Sequence, residues 1–334
     1  MVLVTGATGL VGSHLVLHLL ENDEAVRAIY RNSESIQKTK SLFRLYQKDH
    51  LFDKIDWVLA DINEVPTLAA AFKNIAFVYH CAGLISFDPA EEKHLRKTNI
   101  EGTANIVNFC LDFEIKKLCY VSSIAALGDL KPNEVLITEA TEWNPEIEHS
   151  DYAISKYGAE MEIWRGQQEG LAIVIVNPGV ILGPGFWKTG SGAIFSKVNQ
   201  GLHFYTKGAT GFIAINDVVK IMVQLMKSTF QGERFIAVAE TIPFDRLLVI
   251  IAGALNIKPP GSYAKPWMTA LAWKIDWLSS VVFQTKRSLS KHWAQSLHKT
   301  NYCTNQKVKT VLNFTFENIA NTIMATAAFY PKRK

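Results

Sequence analysis

The chain has 334 residues, 48% of them apolar and 20% charged, a balance that excludes a disordered or low-complexity protein and points to one large domain plus an appendage. Its four cysteines, Cys81, Cys110, Cys119 and Cys303, include no CxxC pair, which excludes a disulfide scaffold and a zinc ribbon. The net charge of +4 hides an asymmetry: residues 258–334 carry 12 Lys and Arg against 2 acids, and the preceding 257 residues carry 23 against 29, so a basic tail follows an acidic body.

Val2-Leu3-Val4 reads as a first strand. It runs into Thr5-Gly6-Ala7-Thr8-Gly9-Leu10-Val11-Gly12, after which Leu15, Leu19 and Leu20 predict a helix over Ser13–Glu21. Apolar runs of strand length follow at Val26–Tyr30, Trp57–Ala60, Phe77–His80, Leu118–Val121 and Ile173–Val176, separated by helix-length segments. Fully apolar strands with helical crossovers predict a parallel sheet buried on both faces, in a Rossmann-type doubly wound α/β fold. The rhythm breaks down after about Pro184. The predicted division is a dinucleotide-binding domain over 1–184, with chain re-entry near 209–240, and a smaller substrate-binding lobe with C-terminal helices over 185–334. Two uncharged stretches, 1–20 and 170–187, are broken by Gly, Pro, Ser, His and Asn. Neither reads as a signal peptide or a membrane span, so the expected location is the reducing cytoplasm.

The glycine turn carries the first functional signal. Gly6 permits a tight turn, Gly9 lets backbone approach a pyrophosphate, and Gly12 lets the helix pack closely, while the helix N-terminus offers free N–H groups to phosphate. Where an NAD-preferring fold places an acid for the ribose 2′-OH, this chain has Tyr30-Arg31-Asn32. An arginine there can fork onto a 2′-phosphate, which predicts NADP(H); stacking of Arg31 on the adenine would also accommodate NAD(H).

The second signal is Tyr152-Ala153-Ile154-Ser155-Lys156. On a helix, the phenol and the ammonium lie one turn apart on one face. A free phenol titrates near 10, too high for neutral-pH catalysis, and a neighbouring lysine with a cationic nicotinamide is expected to lower it. Ser123, at the end of the Leu118–Val121 strand, falls where strand C-termini face a cofactor crevice. Nine histidines show no metal-ligand spacing, so no metal is expected. Cys81 has no evident base beside it and reads as a packed residue.

With these motifs the chain resembles an extended short-chain dehydrogenase/reductase of the NAD-dependent epimerase/dehydratase superfamily, from Val2 to about Phe244. The matching segments are 5–12, Asp61-Ile62, Cys81-Ala82-Gly83, Asn99-Ile100-Glu101-Gly102-Thr103, Val121-Ser122-Ser123, the Tyr152/Lys156 pair, Asn177-Pro178, Gly183-Pro184-Gly185 and Asn216-Asp217-Val218. The resemblance implies that Gly6, Thr8, Gly9, Leu10, Val11 and Gly12 hold the cofactor phosphates. It implies that Asp61 and Ile62 contact the adenine, and that Cys81, Ala82 and Gly83 pass under the cofactor. It also implies that Ser123, Tyr152 and Lys156 form a catalytic triad supported by Asn99, with Lys156 on the nicotinamide ribose and Pro178, Gly179, Val180 and Ile181 beside the nicotinamide.

Departures from the family pattern separate its branches. Sugar-nucleotide dehydratases carry an Asp-Glu pair where this chain has Ile124-Ala125, and epimerases usually carry a pyrophosphate-gripping arginine where it has Thr210. The branch most resembled contains dihydroflavonol-reductase-like and 3β-hydroxysteroid-dehydrogenase-like enzymes. The expected activity is therefore an NAD(P)H-dependent ketone/alcohol interconversion on an apolar small molecule. An epimerase using the same residues, and a non-catalytic dinucleotide sensor, are the alternatives. Leu84, Ile85, Phe87, Leu127, Phe186, Trp187, Tyr205 and Phe212 are the candidate substrate-facing residues.

In the tail, residues 265–283 read as a helix with Met268, Leu271, Ile275, Leu278 and Val282 on one face and Trp267, Trp273 and Trp277 at its sides. Lys286, Arg287, Lys291, Lys299, Lys307 and Lys309 follow. Weak peripheral contact with an anionic membrane is one reading. Lys274 and Asp276 interrupt the apolar band, which favours a packing helix, a lid or a homodimer contact. No nucleic-acid partner is expected.

Overall fold

The computed structural model describes residues 1–283, 287 and 289–331; Lys286 and the basic residues 332–334 lie outside the described residues. Seven strands form the main sheet: β1 (Val2–Thr5), β2 (Val26–Tyr30), β3 (Asp56–Leu59), β4 (Phe77–His80), β5 (Lys117–Val121), β6 (Ile173–Pro178) and β10 (Glu233–Ala237). They run in the order β10-β6-β5-β4-β1-β2-β3, every pair parallel. This is the predicted doubly wound Rossmann-type α/β sheet.

The central strands are largely apolar because both of their faces are covered. Val2, Val4, Tyr79, Cys119, Val121, Val174 and Val176 point into one core, with Leu15 and Leu19 of the helix Leu10–Glu21 and Val218, Met222 and Leu225 of the helix Ile215–Lys227. The intervening Leu3, Val78, Leu118, Tyr120, Ile173 and Ile175 point into the other core. There they meet Ile106 and Val107 of the helix Gly102–Asp112 and Ala159 and Ile163 of the helix Asp151–Gln168. The period-two alternation is the geometry of a strand, and burying each large side chain contributes about 1.5–3 kcal/mol. The first helix begins at Leu10, three residues ahead of the apolar spacing, because Gly9 stays extended (φ −105°, ψ 177°) and the turn enters the helix directly.

The chain past β6 builds a second layer. The strands β7 (Val180–Leu182), β9 (Ala209–Ala214) and β11 (Glu240–Pro243) form a three-stranded sheet, and β8 (Phe204–Tyr205) pairs with β12 (Ser262–Tyr263). The helices Gly192–Asn199, Phe244–Ala254 and Ile319–Ala328 enclose a third core with Phe195, Phe212, Leu247 and Ile323. The tail is stitched across both layers. Asn305 Nδ2 donates to the Val238 carbonyl (2.8 Å), Lys307 Nζ to the Arg234 carbonyl (2.8 Å), and the Glu317 N–H to Asp217 Oδ2 (2.8 Å). No helix among the described residues is long and apolar enough to cross a membrane.

Candidate active site

The order of the sheet reverses between β1 and β4, which opens a crevice at their C-terminal ends. Gly6 turns there with φ +67°, and a Cβ on it would meet the Cys81 and Ala82 backbone at 2.6 Å, so the fold itself requires glycine. Gly9 differs: a Cβ on it would find its nearest atom at an ordinary 3.4 Å. The chain leaves room at Gly9, and that room adjoins the helix N-terminus, which has no side-chain cap. This arrangement fits a dinucleotide pyrophosphate against backbone N–H groups. Gly9→Ala is accordingly expected to leave thermal unfolding within about 1 kcal/mol of wild type while weakening NAD(P)H binding at least about ten-fold; calorimetry and cofactor fluorescence titration check the pair of values.

A buried polar chain fixes the floor of this crevice. Thr5 Oγ1 shares a hydrogen bond with His80 Nδ1 (2.6 Å) and accepts from the Ala82 N–H (3.1 Å), while His80 Nε2 meets Thr103 Oγ1 (3.0 Å). Burial pushes the His80 imidazole down to about 3, so it stays neutral and serves as a bridge. Asn99, within a π-helical turn at Lys97–Glu101, accepts from the Leu84 N–H (2.7 Å) and donates to the Leu84 carbonyl (3.0 Å) and to Ser155 Oγ (2.9 Å). It thereby ties the segment after β4 to the helix that carries Tyr152 and Lys156.

That helix, Asp151–Gln168, starts where the Ser150 hydroxyl accepts from the Ala153 N–H (3.2 Å). Tyr152 and Lys156 occupy its first two turns and face the end of β5, where the Ser123 hydroxyl favours the ionised form of the Tyr152 phenol. Ser123, Tyr152, Lys156 and Asn99 are therefore gathered in one place. Lys156 Nζ, however, donates to the Tyr120 hydroxyl (2.7 Å) and the Val121 carbonyl (2.8 Å). Burial pushes the Tyr152 phenol up, with Ser123 pulling in the other direction. The expectation that Lys156 lowers the phenol is not met by the chain's own groups, because the ammonium is spent on Tyr120 and Val121. Burial also draws Lys156 down to about 8, opposed by the Glu160 carboxylate one turn on.

Glu160 belongs to the site although no motif marked it. It is fully buried, accepts from Asn177 Nδ2 (2.5 Å) and pairs with Arg234 (3.4 Å); Asn177 Nδ2 also donates to the Ser123 carbonyl (3.0 Å). Trp293 was likewise missed. Its ring stacks on Phe87 (centroids 5.1 Å), and Phe87 meets Tyr152 edge-on (5.8 Å), so the tail contributes to the wall beside the phenol.

Arg31 is exposed just past β2, Asp61 Oδ1 accepts from the Asn63 N–H (2.9 Å), Ile62 is buried, and Pro178–Ile181 form the end of β6 and the start of β7. The substrate-facing candidates divide. Leu84, Phe87 and Phe186 are at least partly open, and Trp187 packs edge-on to Tyr330 (4.9 Å). Tyr205 leans on Tyr263 (5.8 Å). Phe212 and Leu127 are corrected to packing residues: Phe212 is fully buried among Leu182, Phe195 and Ile242, and Leu127 among Ile137, Ile236 and Val238.

A doubly wound sheet with a glycine turn at its switch point defines a dinucleotide-binding α/β protein. The NAD dependent epimerase/dehydratase family model matches residues 2–238. A Synechocystis sp. protein provisionally named dihydroflavonol 4-reductase is 30% identical over 81% of this chain and 77% of its own length. Sterol demethylase protein B of Methylococcus capsulatus is 25% identical over 74% and 72%. The crystal structure of gox2253 superposes with a TM-score of 0.81 at 23% identity, covering 99% of this chain and 97% of the other, a likeness of fold. The chain belongs to the NAD dependent epimerase/dehydratase family, and it is an NAD(P)-dependent enzyme of the extended short-chain dehydrogenase/reductase type.

Proposed function

We propose that the protein is an NADP(H)-dependent reductase of an apolar ketone or aldehyde, working reversibly on the corresponding alcohol. The observation that carries this reading is the gathering of Ser123, Tyr152, Lys156 and Asn99 at the end of β5, with the phenol pushed up by burial. A phenol held protonated at neutral pH is suited to giving a proton to the oxygen of a carbonyl under reduction. When bound, the nicotinamide supplies the hydride. Tyr152 would hold the transferable proton at its phenolic oxygen, Ser123 would orient the substrate oxygen, and Lys156 would hold the nicotinamide ribose. Asn99 would keep these groups in register through Leu84 and Ser155.

The substrate class is supported by what the site lacks and by what lines it. Ile124 and Ala125 follow Ser123 where a dehydratase needs an acid and a base, and Thr210 on β9 offers no cation to a nucleotide diphosphate. Phe87 and Trp293 form an aromatic wall beside Tyr152 instead. The reductases among the relatives, including cinnamoyl-CoA reductase 1 of Petunia hybrida (23% identical over 74% of this chain and 72% of its own length), agree with it. An epimerase reading is supported by a 28% likeness to UDP-glucose 4-epimerase of Vibrio cholerae over 66% of this chain and 65% of its length. A screen of ketones, aldehydes and UDP-sugars separates them: net NADPH oxidation supports the reductase, and sugar turnover without net cofactor consumption overturns it.

Arg31 supports the choice of NADP(H). It is exposed beside the N-terminus of the helix Ser33–Leu45, and no ion pair engages it among the described residues. Arg31→Asp is expected to raise the NADPH dissociation constant by about 10- to 100-fold, the loss of one charge-assisted pair, and to leave NADH binding nearly unchanged. Equal affinities for NADPH and NADH in the wild type would remove the preference.

A further inference from the structure

The helix Pro266–Phe283 meets the rest of the protein through a narrow side and leaves most of its large apolar side chains exposed. Its inward side is anchored by polar groups: Thr269, the one buried residue, shares a hydrogen bond with His298 Nε2 (2.8 Å), and Asp276 faces Arg287 (3.7 Å) and accepts from the Leu289 N–H (3.2 Å), with Met268 and Trp273 half-buried beside them. Thr269 and Asp276, seven residues apart, share that side. The opposite side carries Trp267, Leu271, Ile275, Leu278 and Val282, which are 64, 50, 59, 55 and 61% exposed. Asp276 therefore does not interrupt the outward apolar face. Lys274, on the edge of that face, is the one charged group there, and a lysine stem can lie along apolar surface with its ammonium in a polar layer.

We propose that this outward face docks the protein on an anionic lipid bilayer, lying in the plane of the interface. Charge selects the occupant. Residues 258–334 have 12 basic groups and 2 acids; Asp276 is turned inward to Arg287, and Glu317 pairs with Lys220 (3.5 Å). Lys291 and Lys307 pair with Glu148 and Glu233 of the body, while Lys265 just before the helix and Lys274 on it have no ion pair among the described residues, so the cations at the helix face are uncompensated. A second copy would set its own basic region, including Lys274, against an identical one, and like charges repel. A lid closing on the site would need the apolar side turned inward, where the Thr269 and Asp276 contacts already hold the polar side. A tryptophan-bearing apolar face of roughly 27 Å, with Lys274 at its edge, fits the headgroup boundary of a negatively charged leaflet.

The full chain is tested by co-sedimentation with vesicles of phosphatidylcholine alone and of phosphatidylcholine mixed with phosphatidylserine. The expected result is pelleting with the mixed vesicles, lost at high salt. Leu271→Asp with Leu278→Asp is expected to weaken partitioning about 100-fold or more, and Lys274→Glu by roughly 25-fold. All three residues are exposed, so the variants keep their circular dichroism and NADPH binding. No pelleting at low salt overturns the proposal, as does equal pelleting of the wild type and the double variant. Sedimentation velocity showing a wild-type dimer that the double variant abolishes assigns the face to a second copy and also overturns it. The NADPH-oxidation assay in the absence of lipid reads the proposed reductase function separately.

Discussion

Replacing Tyr152 with phenylalanine is expected to lower kcat for carbonyl reduction by about 10³-fold while leaving the NADPH dissociation constant within about two-fold of wild type. The ring survives, so its edge contact with Phe87 and the packing of the Asp151–Gln168 helix are kept; only the proton-bearing oxygen is removed. Stopped-flow NADPH consumption and fluorescence titration give the two quantities. Because burial brings Lys156 down to about 8, the wild-type rate is also expected to fall as pH rises through that value, where the ammonium is lost. A variant that retained turnover within about ten-fold would remove Tyr152 from the chemistry.

The second large effect is on stability. Glu160→Ala is expected to cost about 3 kcal/mol or more, since a fully buried carboxylate is removed from Asn177 and Arg234 and those groups lose a partner where water does not replace it. Arg234 keeps its bonds to the Glu139 and Thr141 carbonyls (2.8 and 3.1 Å), which limits the loss. Urea unfolding measures it. Glu160→Gln, which keeps the shape and a hydrogen bond, separates charge from packing. Since the Glu160 carboxylate opposes the burial of Lys156, this variant is expected to move the alkaline fall in activity to lower pH. An unmoved profile would show that the two groups do not communicate.

The parallel sheet was legible because both of its faces are buried, so β1, β4, β5 and β6 each contain an unbroken apolar run, 2–4, 77–79, 118–121 and 173–176. The glycine turn and the Tyr152/Lys156 pair were legible because local geometry fixes their spacing. Glu160 was not, since a glutamate amid Ala, Met and Glu looks like a solvated helix position until Arg234 arrives from a distant strand. Trp293 was hidden for the same reason: its neighbour Phe87 is remote in sequence. Phe212 misled because β9 is buried over almost its whole length, which leaves no alternation to tell a wall from a core. Asp276 interrupts the apolar band along the sequence but not around the helix, where it lies on the side of Thr269.

The stack of Trp293 on Phe87, with Lys197 Nζ 5.4 Å from the indole centroid, gives the site an optical voice. Indole emission overlaps nicotinamide absorbance, so reduced cofactor bound near this ring should quench it by energy transfer. Among the chain's 8 tryptophans, Trp293 is the one in ring contact with Phe87. The difference spectrum between wild type and Trp293→Phe would therefore report the occupancy of the crevice without any added dye, and the same signal would follow the tail if its neighbouring helix settles on a surface.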